Sequence, residues 1–145
     1  TVYEKATLSS LNLLEKNWND IHLSNLKSVI QDENEITLNK QRRPTDGLID
    51  WSKSSKDCYN WIRAQTFPYP GAFTFFQNGK VKIWKASLNN QVSSEPGKIL
   101  QINDLGVFVG TGDNMIILQD ISFEDSIQIK ANEFFSDNDI GYVLE

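Results

Sequence analysis

One change of period constrains this fold more than any other feature. Up to residue 65 the pattern is helical: Cys58, Trp61, Ile62 and Gln65 recur at i, i+3, i+4 and i+7, the spacing of one helix face. FPYPG (67–71) follows, and in AFTFF (72–76) the period becomes two, as in a strand. The chain must therefore leave a helix, turn within five residues and enter a sheet. Pro68 stops the helix, having no N–H to give. Gly71 can adopt the positive φ that such a corner needs. The spacing predicts a helix over residues 52–66, with Cys58, Trp61 and Ile62 buried. Ser52, Ser54 and Ser55 offer N-cap oxygens, and Asp57 sits in the first turn, where the helix dipole favours a carboxylate. Arg63 falls beside the apolar face. It can meet an anion, or fork onto the backbone of the PYPGA turn.

Downstream, Gln77-Asn78-Gly79 reads as a hairpin turn between AFTFF and KVKIWKASL (80–88). Val81, Ile83 and Lys85 would share one face, and Lys80, Lys82 and Trp84 the other. Further strands are expected at 98–104, 106–112, 114–123 and 126–130, with a short helix at 131–137. Short strands at this spacing, mostly antiparallel, imply a mainly β domain built as a small closed or partly closed barrel. Upstream, Leu8, Leu11, Leu14, Trp18 and Ile21 recur near a 3.6 period, which predicts helix over 4–27. Asn17, Asn19 and Asp20 weaken the end of that pattern and suggest a break before a second short helix around 22–30. Residues 31–35 are polar and acidic, as in a linker, and 35–40 alternate as a short strand would. Pro44 biases Arg43 toward extended backbone, and residues 45–47 carry turn chemistry.

No window approaches the roughly 18 apolar residues of a membrane helix. No basic n-region precedes an apolar run at the start, as a signal peptide would show. The single cysteine, Cys58, excludes an internal disulfide and points to a reducing, cytoplasmic setting. The net charge of −5 is unevenly distributed. Residues 40–85 carry nine Lys or Arg against three acids, and residues 86–145 carry two against ten. A basic island in an acidic chain is either a solvated lysine cluster or a face turned toward an anion.

His22 is the only histidine and, with one cysteine, leaves no metal ligand set. Cys58 has no nearby cation to activate it and reads as a core thiol. Asp46 and Asp50, four apart across a glycine, suit turn and helix caps better than acid–base work. GTGD (110–113) lies between two strands with no helix after it, so it is a hairpin turn rather than a phosphate loop. Trp18, Trp51, Trp61 and Trp84, with Phe73, Phe75 and Phe76, can stack bases on a sheet face or fill a small core. The candidate anion contacts are Arg42, Arg43, Arg63, Lys82 and Lys85, with Tyr69 beside Arg63 at the corner. No self-sufficient catalytic constellation is present.

Several motifs agree in register. DGLIDW (46–51), IRA (62–64), PYPGA (68–72), IWKA (83–86), PGKI (96–99) and the ANEFF tail together resemble the C-terminal domain of the 10-formyltetrahydrofolate-dependent formyltransferases. That family includes methionyl-tRNA formyltransferase and the sugar-nucleotide N-formyltransferases. The resemblance covers residues 35–145 and implies an OB-like barrel. It further implies that residues 1–34 are the helical end of a catalytic domain plus its linker. The family's active site uses an Asn, a His and an Asp on a Rossmann-like N-terminal domain that also binds the folate. Those motifs are absent here, and His22 lies in the wrong context to replace them. The resemblance therefore implies a fragment, inactive alone. Its partners would be its own catalytic domain, the acceptor and, as an alternative role, a second copy in a homodimer. The acidity of 86–145 favours a sugar nucleotide over tRNA as acceptor.

Overall fold

The computed structural model describes residues 2–26, 29–93 and 95–145. The chain divides into two compact units, residues 1–40 and 41–145. In the first, α1 (Val2–His22) carries the expected apolar stripe, yet none of its residues is buried. Leu8, Leu11, Leu14, Trp18 and Ile21 are all exposed. The helix runs straight into a turn at Leu23 and Ser24, with Ser24 at φ +56° and the Asn25 N–H donating to the Asp20 carbonyl at 2.9 Å. Residues 25–26 and 29–30 are not helical, and the rest of the expected second helix lies outside the described residues. The strand expected at 35–40 is not formed. Asp32 caps a single 3-10 turn at Glu33–Glu35 through the Asn34 N–H, and the chain runs on irregularly. Alternation without a partner strand does not make a strand.

The second unit begins with a 3-10 turn at Pro44–Gly47. Its helix α2 (Ser55–Gln65) starts at Ser54, whose hydroxyl accepts from the Asp57 N–H at 3.1 Å. Cys58, Ile62 and Gln65 are buried, and Trp61 is only half-buried. The spacing that placed Trp61 inward is correct, but the side chain sits at the edge of the buried stripe. The fully enclosed tryptophan is Trp51, whose indole N–H donates to Thr74 Oγ1 at 3.0 Å.

Six strands follow: β1 (Ala72–Phe76), β2 (Gly79–Val92), β3 (Ile99–Asn103), β4 (Gly106–Gly110), β5 (Asn114–Phe123) and β6 (Ile129–Lys130). The six strands pair antiparallel with one another in the order β1-β2-β5-β4-β3, with β6 also on β5, and Leu48 makes a single parallel bridge to Phe73 of β1. The hairpin loop is Gln77-Asn78, both at positive φ, with Gly79 already paired to Phe76. The turn is thus one residue earlier than an Asn-Gly loop. Val81 and Ile83 face the core as expected, but Lys85 does not. Irregular pairing on both sides of Lys85 exposes it and turns Ala86 inward. The strand expected over 126–130 shrinks to two residues, because Glu124 takes φ +50° and Ser126 closes a turn on Phe123.

The tail closes the sheet. After α3 (Ala131–Phe134), Glu145 exchanges both backbone hydrogen bonds with Phe75 of β1. Leu144 N–H donates to Gly97, and Ile99 N–H to Tyr142, beside β3. The two edge strands are joined through the tail, which satisfies groups that would otherwise be left open. The core inside contains Val81, Ile83, Ile99, Val107, Ile116, Leu118 and Ile121, with Phe76 packed edge-on against Phe134, Phe135 and Tyr142. The mainly antiparallel, barrel-like domain expected from the strand spacing is the one formed.

Candidate functional site

Local chemistry fixes the corner at residues 66–72. Gly71 N–H donates to the Gln65 carbonyl at 2.9 Å and Tyr69 N–H to that of Thr66 at 3.1 Å, which closes the end of α2. Gly71 has φ +93°, and a Cβ there would meet the Trp84 ring at 3.1 Å. The Thr66 hydroxyl donates to the Trp84 carbonyl at 2.9 Å, tying the corner to β2. On the other side, Arg43 N–H donates to Asp46 at 2.7 Å, so Asp46 is a cap. Between these two fixed segments lies a cavity of about 540 Å³ lined by Gln41, Arg42, Arg43, Pro44, Ala64, Gln65, Tyr69 and Pro70.

The structure brings together three of the six sequence-predicted contacts, Arg42, Arg43 and Tyr69, in this cavity. The Arg42 guanidinium lies over the Trp61 ring, 4.4 Å from its centroid, which orients it from outside. Arg63 is elsewhere. It is exposed, lies over the Tyr59 ring at 5.2 Å, and makes the i, i+4 contact within α2 rather than a fork on the turn. Lys82 is paired with Asp125 at 2.9 Å, and that ammonium holds the Asp125 carboxyl below its usual range, first by hydrogen bonding and then by charge. Lys85 lines a separate cavity of about 200 Å³ with Asp104, Gln119, Lys130 and Asn132. Lys130 there is drawn to Asp120, which raises its pKa.

Gln65 is the residue the sequence reading missed. It occupies the fourth position of the apolar face, at the end of α2, where the spacing predicts burial only for Cys58, Trp61 and Ile62. It is 8% exposed, and its Nε2 is buried with no hydrogen-bond partner among the described residues. A polar residue at i+7 of an otherwise apolar stripe was the available signal.

The other candidates are structural. Cys58 is buried, and burial, followed by the nearby Asp50 charge, pushes its thiol up to about 11, away from thiolate chemistry. Asp50 accepts from the Ser52 hydroxyl and from the Ser52 N–H at 3.1 Å, and these, the hydroxyl first, lower its pKa. Together with Lys53, Asp57, Cys58 and Trp61 it lines a cavity of about 460 Å³. GTGD is the β4–β5 turn. Its Asp113 carboxylate accepts the Ser55 N–H at 2.7 Å and so caps α2 from across the domain. Of the aromatic residues, Trp51, Phe73 and Phe76 are buried, Trp61 and Trp84 half-buried, and Phe75 and Trp18 exposed. His22 is exposed in the last turn of α1. Among the described residues no three His, Cys, Asp or Glu side chains form a metal site, and no helix is long and apolar enough to cross a membrane.

Comparison with known proteins places this architecture. Residues 42–139 match the model of the formyl transferase C-terminal domain. Methionyl-tRNA formyltransferase of Acetivibrio thermocellus is 27% identical over 142 residues, 97% of this chain and 45% of that protein. The bifunctional polymyxin resistance protein ArnA of Wigglesworthia glossinidia brevipalpis is 34% identical over 105 residues, 72% of this chain and 16% of that protein. HypX from Aquifex aeolicus, solved in complex with tetrahydrofolic acid, superposes with a TM-score of 0.65 at 17% identity, over 86% of this chain and 22% of HypX. That likeness is one of fold. The chain thus spans under half the length of the curated relatives it matches. With two thirds of its length inside the family model, the chain belongs to the formyl transferase C-terminal domain family.

Proposed function

We propose that this chain is the accessory part of a 10-formyltetrahydrofolate-dependent formyltransferase, and that it positions an amino-sugar nucleotide for N-formylation. On this reading residues 1–34 belong with the catalytic domain and linker, and residues 35–145 form the acceptor-positioning domain, in a cytoplasmic enzyme. The observation that carries it is the cavity at 41–44 and 64–70. It gathers Arg42 and Arg43 with no carboxylate in its lining, within a domain whose later part, residues 86–145, holds two basic and ten acidic residues. One diphosphate can be held by two guanidiniums. An extended phosphate backbone would meet the acidic remainder, which repels it. Tetrahydrofolate chemistry is assigned to the catalytic domain. The contribution of this chain is to bind and orient.

The second reading, a tRNA-binding domain, is favoured by the name shared by three of the relatives, methionyl-tRNA formyltransferase. Filter binding of uncharged initiator tRNA to the full-length protein separates the two. The proposal expects weak binding at low salt that is unaffected by Arg42→Ala with Arg43→Ala. Tight binding that falls steeply with salt and disappears in the double variant would favour tRNA instead.

A further inference from the structure

We propose that Asn78, at the tip of the β1–β2 hairpin, is a site of spontaneous covalent modification: ring closure onto Gly79 converts it to aspartate and isoaspartate, and the change releases the hairpin tip from the C-terminal tail. This chemistry is independent of the formyl acceptor.

Asn78-Gly79 is the only Asn-Gly pair in the chain. In a hairpin such a pair usually forms the loop, where glycine supplies positive φ. Here the loop is Gln77 and Asn78, at φ +48° and +69°, and Gly79 is already the first residue of β2, paired with Phe76. Packing is what requires glycine at 79, since a Cβ there would lie 2.2 Å from the Phe123 ring. The fold therefore keeps a residue without a side chain directly after an exposed asparagine. A side chain at 79 would hinder attack by that residue's backbone nitrogen; glycine does not.

The reaction needs no co-reactant but water. The Gly79 nitrogen attacks Asn78 Cγ, and the new N–Cγ bond closes a five-membered succinimide. The Cγ–Nδ2 bond breaks, and the displaced amine leaves as ammonia with the proton that the Gly79 N–H gives up. Water then opens the ring. Addition at Cγ yields aspartate. Addition at the backbone carbonyl yields isoaspartate, whose main chain runs through the former side chain. The net change is water for ammonia, with nothing oxidised or reduced. Gly79 is buried and paired, so its nitrogen attacks only when the last rung of the hairpin opens. Local opening of this kind precedes global unfolding, and the rate of modification follows it.

Two contacts give the change its effect. Gln77 N–H donates to the Tyr142 hydroxyl at 3.0 Å, which pins the loop to the tail. A two-residue loop fixes the register of the strands it joins, and the extra main-chain carbon of isoaspartate does not fit it. Either product also adds a carboxylate near Glu124, whose Oε1 accepts the Lys80 N–H at 2.6 Å and lies 3.4 Å from the Cβ position at Gly79. Like charges facing each other across strands are destabilising.

Ageing the full-length protein at mildly alkaline pH, followed by tryptic mass mapping and labelling with an isoaspartate-specific methyltransferase, tests this. The tryptic peptide 64–80 carries Asn78 as its only asparagine. It should take up more label than all other peptides of residues 1–145 together. Asn78→Gln, which could close only a six-membered ring, should lose the signal. The synthetic 64–80 peptide should convert faster than the folded protein, and urea should bring the protein up to the peptide's rate. In the aged protein, amide exchange at Phe75 and Glu145, which bond to each other across the tail joint, should speed up while that of β5 stays the same. Label mainly on other peptides, no conversion in the folded protein while the free peptide converts, equal rates in the two, or unaltered exchange at Phe75 would each overturn the proposal.

Discussion

Trp61 and Trp51 separate two kinds of aromatic position that the sequence alone does not distinguish. Trp51 is 5% exposed with its indole N–H satisfied by Thr74. Trp61 is half-buried, with its outer face beneath Arg42. Trp51→Ala should cost about 3–5 kcal/mol, as for a large aromatic lost from a core. Trp61→Ala should cost about half of that, since only part of its surface leaves water. Urea titrations of both variants check the order, and equal losses would contradict it. Gly71→Ala is penalised twice, by φ +93° and by the Trp84 ring at 3.1 Å. A loss of about 1–3 kcal/mol is expected for a residue forced into that backbone region. A neutral variant in the same titration would mean the corner is not built this way.

At the scale of elements, helix α2 depends on a carboxylate from another hairpin. Asp113 accepts from Ser55 N–H at 2.7 Å, and this backbone hydrogen bond is the main cause of its lowered pKa. Because the folded value lies below the unfolded one, the unfolded chain takes up the proton more readily. The stabilisation is therefore complete above the ordinary aspartate pKa, near 3.9, and is lost as pH falls through the lower folded value. Asp113→Ala should be less stable than the natural chain at pH 7, and the difference should shrink below about pH 4. A difference independent of pH between 3 and 7 would rule this cap out. Elements of this kind also show what a sequence can and cannot convey. The helix over α2, the hairpin and three of the four later strands were legible because period, cap residues and turn residues agree locally. The strand at 35–40 failed because a strand needs a neighbour, and no local pattern specifies one. Lys85 was placed on the wrong face because a bulge changes the alternation without changing composition. Arg42, Arg43 and Tyr69 could be named from charge and from the corner, but that they share a cavity, and that Gln65 lies with them, depends on residues 20 or more apart meeting in the fold.

For the whole molecule, closure of the sheet by the tail is the feature that unites the domain. Leu144 is 2% exposed, and its N–H reaches Gly97 while Glu145 pairs with Phe75. Leu144→Ala should destabilise by about 2–4 kcal/mol, the range for a leucine removed from a core. It should also speed amide exchange at Phe75 and Ile99 ahead of the central strand β5, because those two amides are the ones the tail covers. Uniform acceleration across all strands would argue against a distinct closing role. An acidic domain with a cavity whose lining holds no carboxylate is the ground on which a small diphosphate acceptor is proposed. The most direct measurement is formyl transfer from 10-formyltetrahydrofolate by the full-length protein, with amino-sugar nucleotides and methionyl-tRNA offered in parallel. The account predicts transfer to an amino-sugar nucleotide, with kcat/KM reduced by Arg42→Ala plus Arg43→Ala. Transfer to methionyl-tRNA alone would contradict it.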